Sequence, residues 1–185
     1  MAPYQELNSL LDKKLKVGIV GEMKLIEIKL EPYEVQLAHD VAGRRFIENQ
    51  KMGRSFGHGY QGSVEKTLAL GISGACCEVA FAKWKNVFWN GSYSDTYSTY
   101  NKPDIGKDIE VRSQFRKPNN VLIIRPSDKK CKFVLVIDEN PNFKIMGWFP
   151  NFTKPDDKYL TNFGIASRPY CYAIPIKDLY NEADL

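Results

Sequence analysis

The chain has little histidine and no cysteine pairing of the kind that binds zinc. Only two histidines, His39 and His58, occur in 185 residues, so a Ser-His-Asp triad or a histidine-rich metal site lacks its usual components. Four cysteines are present, two of them adjacent at Cys76 and Cys77, but no Cys-x-x-Cys pair occurs. This spacing predicts neither a zinc site nor a disulfide framework, and we expect reduced, mostly buried thiols.

Long apolar runs are also missing. No segment is long and apolar enough to cross a bilayer, and residues 1–16 lack the apolar stretch of a secretory signal. We therefore expect a cytoplasmic protein with no membrane partner. The length favours a single domain over residues 1–185.

The apolar pattern changes from helical spacing to strand spacing along the chain. Residues 1–16 are predicted to form a short helix, and residues 17–30 two strands around a turn at Gly21. A helix is predicted from Pro32 to about Gln50, and a second over residues 74–88. The apolar stripe of the first of these two helices is predicted to comprise Val35, Ala38, Ala42, Phe46 and Ile47.

Beyond residue 102, strand patterns separated by turn signals dominate. They predict strands within 108–115, 121–126, 132–138 and 143–149, and a last strand with a final turn within 168–180. Helices first and strands later indicate an α+β fold, in which helices flank a mixed β-sheet within one domain.

Positive charge is concentrated in the same region. Residues 102–132 contain nine Lys/Arg and four Asp/Glu, whereas the other 17 basic and 18 acidic residues nearly cancel. Solvated hairpin edges, where lysine guards against aggregation, account for such a segment as well as a phosphate-binding surface does. On charge alone both interpretations stay open.

Three carboxylates interrupt this basic segment: Asp104, Asp108 and Glu110. Alternate residues of a strand share a face, so Asp108, Glu110 and Arg112 are predicted to point one way while the two apolar residues between them point into the core. A turn at residues 106–107 would bring Asp104 back beside the same face.

Clustered carboxylates raise one another's pKa unless a cation lies between them. Oxygen ligands without histidine or cysteine suit Mg²⁺. The alternative is that Asp104 and Asp108 form turns while Glu110 pairs at the surface with Arg112 or Lys107.

A fourth carboxylate, Glu78, lies in the middle of the predicted helix 74–88. Its neighbours one turn away are small or apolar, so the glutamate is partly desolvated, which costs free energy unless something compensates. Those neighbours are Gly74, Ala75, Phe81 and Ala82.

These acids, in this order, resemble the PD-(D/E)xK nuclease superfamily, which has a restriction-endonuclease-like fold. Glu78 matches the family's helix acid, Pro103-Asp104 its Pro-Asp, and Glu110-Val111-Arg112 its (D/E)-x-K tripeptide. The chain is similar in particular to phage and prophage proteins of this type, through four ordered motifs. Those motifs are Gly74 to Ala80, Asp104 to Arg112, Leu122 to Lys129, and Gly147-Trp148.

The resemblance spans residues 31–179, which would form the core of the domain after an N-terminal helix and strands in residues 1–30. It implies Mg²⁺- or Mn²⁺-dependent hydrolysis of DNA, in the host cytoplasm if the protein is phage-encoded. Glu78, Asp104, Glu110 and Arg112 would be the catalytic residues, and Asp104, Glu110, Glu78 and Asp108 the metal ligands. DNA would be held through its backbone phosphates by Lys107, Gln114, Arg116, Lys117 and Arg125.

Arg112 stands where the family has lysine, and arginine stays protonated, so it can clamp a phosphate but cannot act as a base. Lys107 is one candidate to replace that lysine. A second function therefore stays open, in which a catalytically degenerate nuclease fold acts as a nucleic-acid- or protein-binding module. A structural, virion-associated protein would bind neither metal nor DNA. The oligomeric state, including a homodimer, is open as well.

Overall fold

A computed structural model describes residues 15–20, 23–53, 62–91, 102–115, 121–181 and 185, with side chains described from residue 26 onward. Within these ranges the chain forms strands, two long helices and two short 3₁₀ turns, at Asp157–Tyr159 and Ile176–Asp178. The helices are α1 (Pro32–Lys51) and α2 (Val64–Lys85). The strands are β1 (Leu15–Val20), β2 (Met23–Lys29), β3 (Ile109–Phe115), β4 (Val121–Ile124), β5 (Lys132–Glu139), β6 (Asn142–Pro150), β7 (Leu160–Thr161) and β8 (Cys171–Pro175).

Two sheets and a helical layer form the fold. The larger sheet has the strand order β1-β2-β6-β5-β3, in which β3 and β5 are parallel and the other neighbours antiparallel. The smaller sheet has the order β4-β8-β7. Helix α2 packs on the larger sheet and α1 packs on α2. The predicted α+β class with a mixed sheet is confirmed, while the second sheet was not anticipated.

Strand β5 lies inside the larger sheet, between β6 and β3, and both of its faces are apolar. Val134 and Val136 belong to the core that contains α2, whereas Phe133 and Leu135 belong to a second core shared with the smaller sheet. Alternation along a strand sends successive side chains to opposite faces, so one run of apolar residues supplies both cores.

Helix α2 is longer than the sequence predicts. It begins after Ser63, whose hydroxyl accepts a hydrogen bond from the Lys66 amide at 3.3 Å, and ends at Asn86 in the left-handed conformation. The prediction of 74–88 was wrong at its start, because Gly71 and Gly74 suggested a break, and it extended three residues beyond the observed end at Lys85. The two glycines lie inside the helix, which tolerates glycine at a cost of about 1 kcal/mol each.

Helix α1 confirms the prediction from Pro32, with Glu31 and Glu34 forming a reciprocal capping box. Its predicted apolar stripe was partly wrong. Ile47 is 52% exposed, whereas Val41, which the stripe omitted, is buried. The packing of α2 along one side of α1 selects the buried positions, and periodicity alone does not fix that side.

The N-terminal prediction is tested in part. Residues 1–14 of the predicted helix and the turn at Gly21 lie outside the described residues. Leu15 and Lys16 begin β1, where they pair with Ile28 and Glu27 of β2, so the end of the predicted helix was wrong. The two predicted strands of 17–30 are confirmed.

The later strand predictions are confirmed at β3 to β6, and the tail forms β8 and a 3₁₀ turn as expected. One glycine is required by close packing in this region. Gly147 has φ +125°, and a Cβ there would lie 2.7 Å from the Tyr180 carbonyl oxygen. The position is opposite the irregularity between Leu135 and Val136 in the β5–β6 pairing.

Candidate acidic site at the edge of the larger sheet

Glu78 projects from α2 and is 6% exposed. Its two oxygens accept hydrogen bonds from both terminal nitrogens of Arg45 in α1, at 2.7 and 2.8 Å. The indole N–H of Trp89 donates to Oε2 at 2.9 Å. The burial predicted from its small neighbours is therefore confirmed, and the compensating group is an arginine from the neighbouring helix together with an indole.

Asp104 lies at the open edge of β3. Ile105 and Ile109 pair across the turn, and Gly106 has the positive φ of +61° that the turn requires. Asp104 Oδ2 consequently accepts a hydrogen bond from the Val111 amide at 2.8 Å. The predicted turn and the return of Asp104 beside the strand are confirmed.

The charge environment of Asp104 is unfavourable for a carboxylate. Burial, followed by the negative charges of Glu78 and Glu110, raises its pKa from 3.8 to about 8, although the Val111 amide and Arg45 oppose the shift. Asp104 is therefore close enough to both glutamates to be repelled by them.

Glu110 is buried in β3, at 7% exposure. Its Oε1 accepts a hydrogen bond from Arg112 Nη1 at 3.0 Å, and Lys129 Nζ lies 2.7 Å from Oε2. Oε2 is buried and accepts no hydrogen bond within the described part of the chain, but the Lys129 ammonium at this distance is its ionic partner. A metal ion at Oε2 would therefore have to share this oxygen with Lys129 or displace its ammonium.

Arg112 is held inside the protein. Its second terminal nitrogen pairs with Asp128 at 2.9 Å, and its guanidinium lies over the Phe133 ring at 4.9 Å. Burial lowers the pKa of Arg112, but the charges of Asp128 and Glu110 more than compensate, so the pKa is raised above its usual value. The buried Arg112 side chain thus neutralises the carboxylates of Glu110 and Asp128.

The two glutamates approach Asp104 from opposite faces of the sheet. Ile109 and Val111 contact the core beneath α2, whereas Arg112 lies over a ring of the second core. Glu110 shares a face with Arg112, on the side away from α2 and Glu78. Asp104, at the strand edge, is the acid that experiences the charge of both.

These contacts limit which of the predicted acids could bind a divalent cation. Within the described ranges, no three His, Cys, Asp or Glu side chains are grouped as metal ligands. Glu78 has both oxygens engaged by Arg45 and Trp89. Asp104 and Glu110 fit a cation better, because one has a raised pKa and the other a buried oxygen without a hydrogen bond. Mg²⁺ commonly uses one or two carboxylates and keeps several waters.

The predicted metal ligand Asp108 and the predicted DNA-binding residues do not form one surface among the described residues. Asp108 is 3.3 Å from Lys132 and separate from the three acids, and Lys107 is exposed in the turn. The Gln114 side-chain amide donates to the Val121 carbonyl oxygen, so it joins β3 to β4. Arg125 lines a cavity between the helices. The predicted DNA contacts Arg116 and Lys117 lie outside the described residues.

Three residues of the site were not identified from the sequence: Arg45, Trp89 and Lys129. The sequence analysis gave Arg45 no role, and it named Lys129 only as the last residue of the Leu122 to Lys129 motif. Ion pairing between residues 33 positions apart, as in Arg45–Glu78, leaves no local spacing signal. The two adjacent arginines at 44 and 45, one beside the apolar stripe, were the only available indication.

Comparison of the chain with protein-family models, with curated proteins and with solved structures gives no match. In the part of the chain that the structure describes, neither helix has the length and apolar character needed to cross a membrane.

Proposed function

We propose that the protein is a Mg²⁺-dependent deoxyribonuclease, for which Mn²⁺ would substitute, acting in the cytoplasm as a nuclease of the PD-(D/E)xK type. The observation that carries the proposal is the charge state of Asp104. Burial and then the charges of Glu78 and Glu110 raise its pKa to about 8, so ionisation of Asp104 leaves an unfavourable charge imbalance. A divalent cation would relieve this imbalance.

Asp104 and Glu110 would hold the metal. When bound, the ion would lower the pKa of a coordinated water and stabilise charge on the phosphate that is attacked. Glu78 would not contact the metal; it would position Arg45, from which it accepts two hydrogen bonds of 2.7 and 2.8 Å. Arg45 in turn places positive charge where both Asp104 and Glu110 experience it.

Lys129 would supply the ammonium that the tripeptide Glu110-Val111-Arg112 lacks. Its Nζ lies 2.7 Å from Glu110 Oε2, whereas Arg112, at the family's lysine position, is bound to Glu110 and Asp128. We assign Lys129 the role of orienting the attacking water or a phosphate oxygen beside Glu110. Lys107, the substitute suggested by the sequence, is exposed in the turn.

A second candidate is a nucleic-acid-binding module without catalysis. One observation favours it: Glu78 and Glu110 already have cationic partners in Arg45, Arg112 and Lys129. In that case the ion pairs are structural, and Lys and Arg of residues 102–132 would bind phosphates without a metal.

A plasmid-nicking assay with Mg²⁺ or Mn²⁺ separates the two functions. The enzyme predicts metal-dependent nicking that falls roughly a hundred-fold or more in Glu110→Gln. Glu139→Gln is the matched control, because Glu139 ends β5 with its side chain 48% exposed and pairs with Lys144. Salt-sensitive DNA binding without nicking in any metal would reject the enzyme and support the module.

A further inference from the structure

The outer face of α1 carries a row of exposed residues at the spacing of a coiled-coil seam. Tyr33, Leu37, Asp40, Arg44 and Ile47 are all exposed and follow one another at intervals of four, three, four and three residues. Helices that pair along a seam repeat their contact residues with this alternation. Tyr33 is 71% exposed, and Leu37 and Ile47 are each 52% exposed. We call these five residues the α1 seam.

The α1 seam points away from the rest of the described fold. Helix α1 packs on α2, which itself packs on the larger sheet, so α1 forms the outer layer on this side. Its buried residues are Ala38, Val41 and Ala42, which the helical repeat places largely on the side opposite the seam. Single exposed apolar residues are common, but three in register along one helix face are typical of an interface.

The α1 seam is complementary to itself when the helix direction is reversed. Leu37 and Ile47 lie five residues on either side of Ala42, and Asp40 and Arg44 lie two residues on either side of it. In an antiparallel pair of these helices, related by a two-fold axis near Ala42, Leu37 is therefore opposite the partner's Ile47. The same axis places Asp40 opposite the partner's Arg44. Such self-complementarity is what a symmetric dimer interface requires.

The charges of the seam select the direction of the partner helix. A parallel pair would bring Asp40 against a second Asp40, and like charges across an interface are unfavourable. The antiparallel pair avoids this repulsion. Neither charged residue has to be without other contacts, because Asp40 accepts a hydrogen bond from the Gln36 amide at 3.0 Å and Arg44 also interacts within its own chain. The apolar contacts supply the affinity, and the charges decide the orientation.

A groove of about 260 Å³ borders the seam. Leu37 and Val41 of α1 line it together with Trp89 and Gly91, which follow α2. A Cβ on Gly91 would lie 3.0 Å from Val41 Cγ2, so the segment after α2 approaches α1 closely at this point. The groove gives space beside Leu37 for the branched side chain of the partner's Ile47.

We propose that the protein forms a homodimer in which α1 pairs in antiparallel direction with α1 of a second copy, through the α1 seam. One pair of helices is a small interface compared with the roughly 1,200–2,000 Å² of stable complexes, so we expect a dissociation constant on the order of 10 µM. The inference does not rest on the proposed nuclease function. Arg45 lies outside the seam and binds Glu78 within its own chain, so the acidic site of each copy is unchanged.

Sedimentation velocity of the full chain at about 1 to 500 µM measures the association. Leu37→Glu should weaken the dimer at least about ten-fold, because it places a carboxylate against an apolar residue twice in each dimer. Gln50→Glu is the matched control, since Gln50 is also exposed on α1 but lies outside the seam, and it should leave the dissociation constant within about two-fold. Thermal melting shows whether each variant is folded.

Charge reversal tests the antiparallel register. Asp40→Arg should weaken the dimer about five-fold, because it places two cations opposite each other at both ends of the symmetric contact. The double variant Asp40→Arg/Arg44→Asp restores opposite charges across the interface and should return the dissociation constant to within about two-fold of wild type. A double variant as weak as Asp40→Arg would overturn the register.

Two further results would overturn the dimer itself. One is a monomer at the highest concentration, which would show that the seam does not bind a second copy. The other is a dimer that persists unchanged in a folded Leu37→Glu, which would place the interface on another surface. A dimer that weakens in Leu37→Glu but not in Gln50→Glu supports the proposal, whatever the plasmid-nicking assay shows.

Discussion

Arg45 of α1 and Glu78 of α2 form a two-point ion pair across the interface of the helices, with both nitrogen–oxygen distances below 3 Å. The Glu78 side chain is 8% exposed and that of Arg45 is 25% exposed. The pair therefore links the packing of two helices to the charge of the acidic site, because Arg45 also acts on Asp104 and Glu110.

Arg45→Met should destabilise the protein by about 3 kcal/mol, because it leaves a buried carboxylate without its cation. Arg44→Met is the control, since Arg44 is the adjacent, exposed arginine of the same helix, and should change stability by no more than about 0.5 kcal/mol. Urea denaturation gives both values. The double variant Arg45→Met/Glu78→Met should recover part of the loss; an equal or larger loss in the double variant would contradict the buried-charge explanation.

Asp104 should make stability fall as pH rises. Its pKa is about 8 in the folded protein and near the ordinary 3.8 in the unfolded chain, because burial and then Glu78 and Glu110 disfavour the charge. Between these values the folded state binds more protons, so the free energy of unfolding decreases with pH. Asp104→Asn should remove this slope and gain on the order of 2 kcal/mol relative to wild type at pH 8. Urea titrations in EDTA at pH 5, 7 and 9 measure the free energy of unfolding of wild type and Asp104→Asn. Parallel pH profiles for the two proteins would refute the role of Asp104.

Mg²⁺ should stabilise the folded protein more at pH 8.5 than at pH 6, because Asp104, with a pKa of about 8, is then ionised. At a concentration one hundred times the dissociation constant, the gain is about 2.7 kcal/mol. Differential scanning fluorimetry against NaCl of equal ionic strength isolates the specific effect. Glu110→Gln should abolish the shift, whereas Glu139→Gln should keep it; equal shifts in all three proteins would show that Mg²⁺ binds elsewhere.

Lys129→Met should lower the rate of metal-dependent cleavage about a hundred-fold, because it removes the ammonium 2.7 Å from Glu110. Lys130→Met, at the neighbouring exposed lysine, should leave the rate within about two-fold. Lys129→Arg, which keeps the charge but changes its shape, should lie between them. The measurement is the initial rate of plasmid nicking at saturating Mg²⁺, with thermal melting to show that each variant is folded. Equal rates for Lys129→Met and Lys130→Met would show that Lys129 has no role in cleavage.

Gly147→Ala should destabilise the protein by more than 2 kcal/mol, since φ is +125° and the new Cβ would lie 2.7 Å from the Tyr180 carbonyl oxygen. Gly43→Ala should instead stabilise it by about 0.5–1 kcal/mol, because the position is helical and has open space around a Cβ. Urea denaturation of the two variants supplies the comparison. A neutral Gly147→Ala would mean that the 170–181 segment moves easily away from β6.

Local patterns predicted much of the secondary structure. The alternation in β3 placed Val111 inward, and the turn before it brought Asp104 back to the strand, both as expected. The apolar neighbours of Glu78 predicted its burial. The start of α2 was missed because Gly71 and Gly74 suggested a break, whereas the helix begins after Ser63 and contains both glycines.

The sequence by itself determined that acids at 78, 104 and 110 would lie on a buried helix face, at a turn and on a strand, because periodicity and turn chemistry act over a few residues. The pairing of Glu110 with Arg112 was among the alternatives that the sequence offered, but only the tertiary structure brought in the other cations that these acids meet. Arg45 and Lys129 reach Glu78 and Glu110 because α1 packs on α2 and because the loop after β4 returns to the edge of β3. Such pairings follow from the packing of whole elements, and no local spacing encodes them.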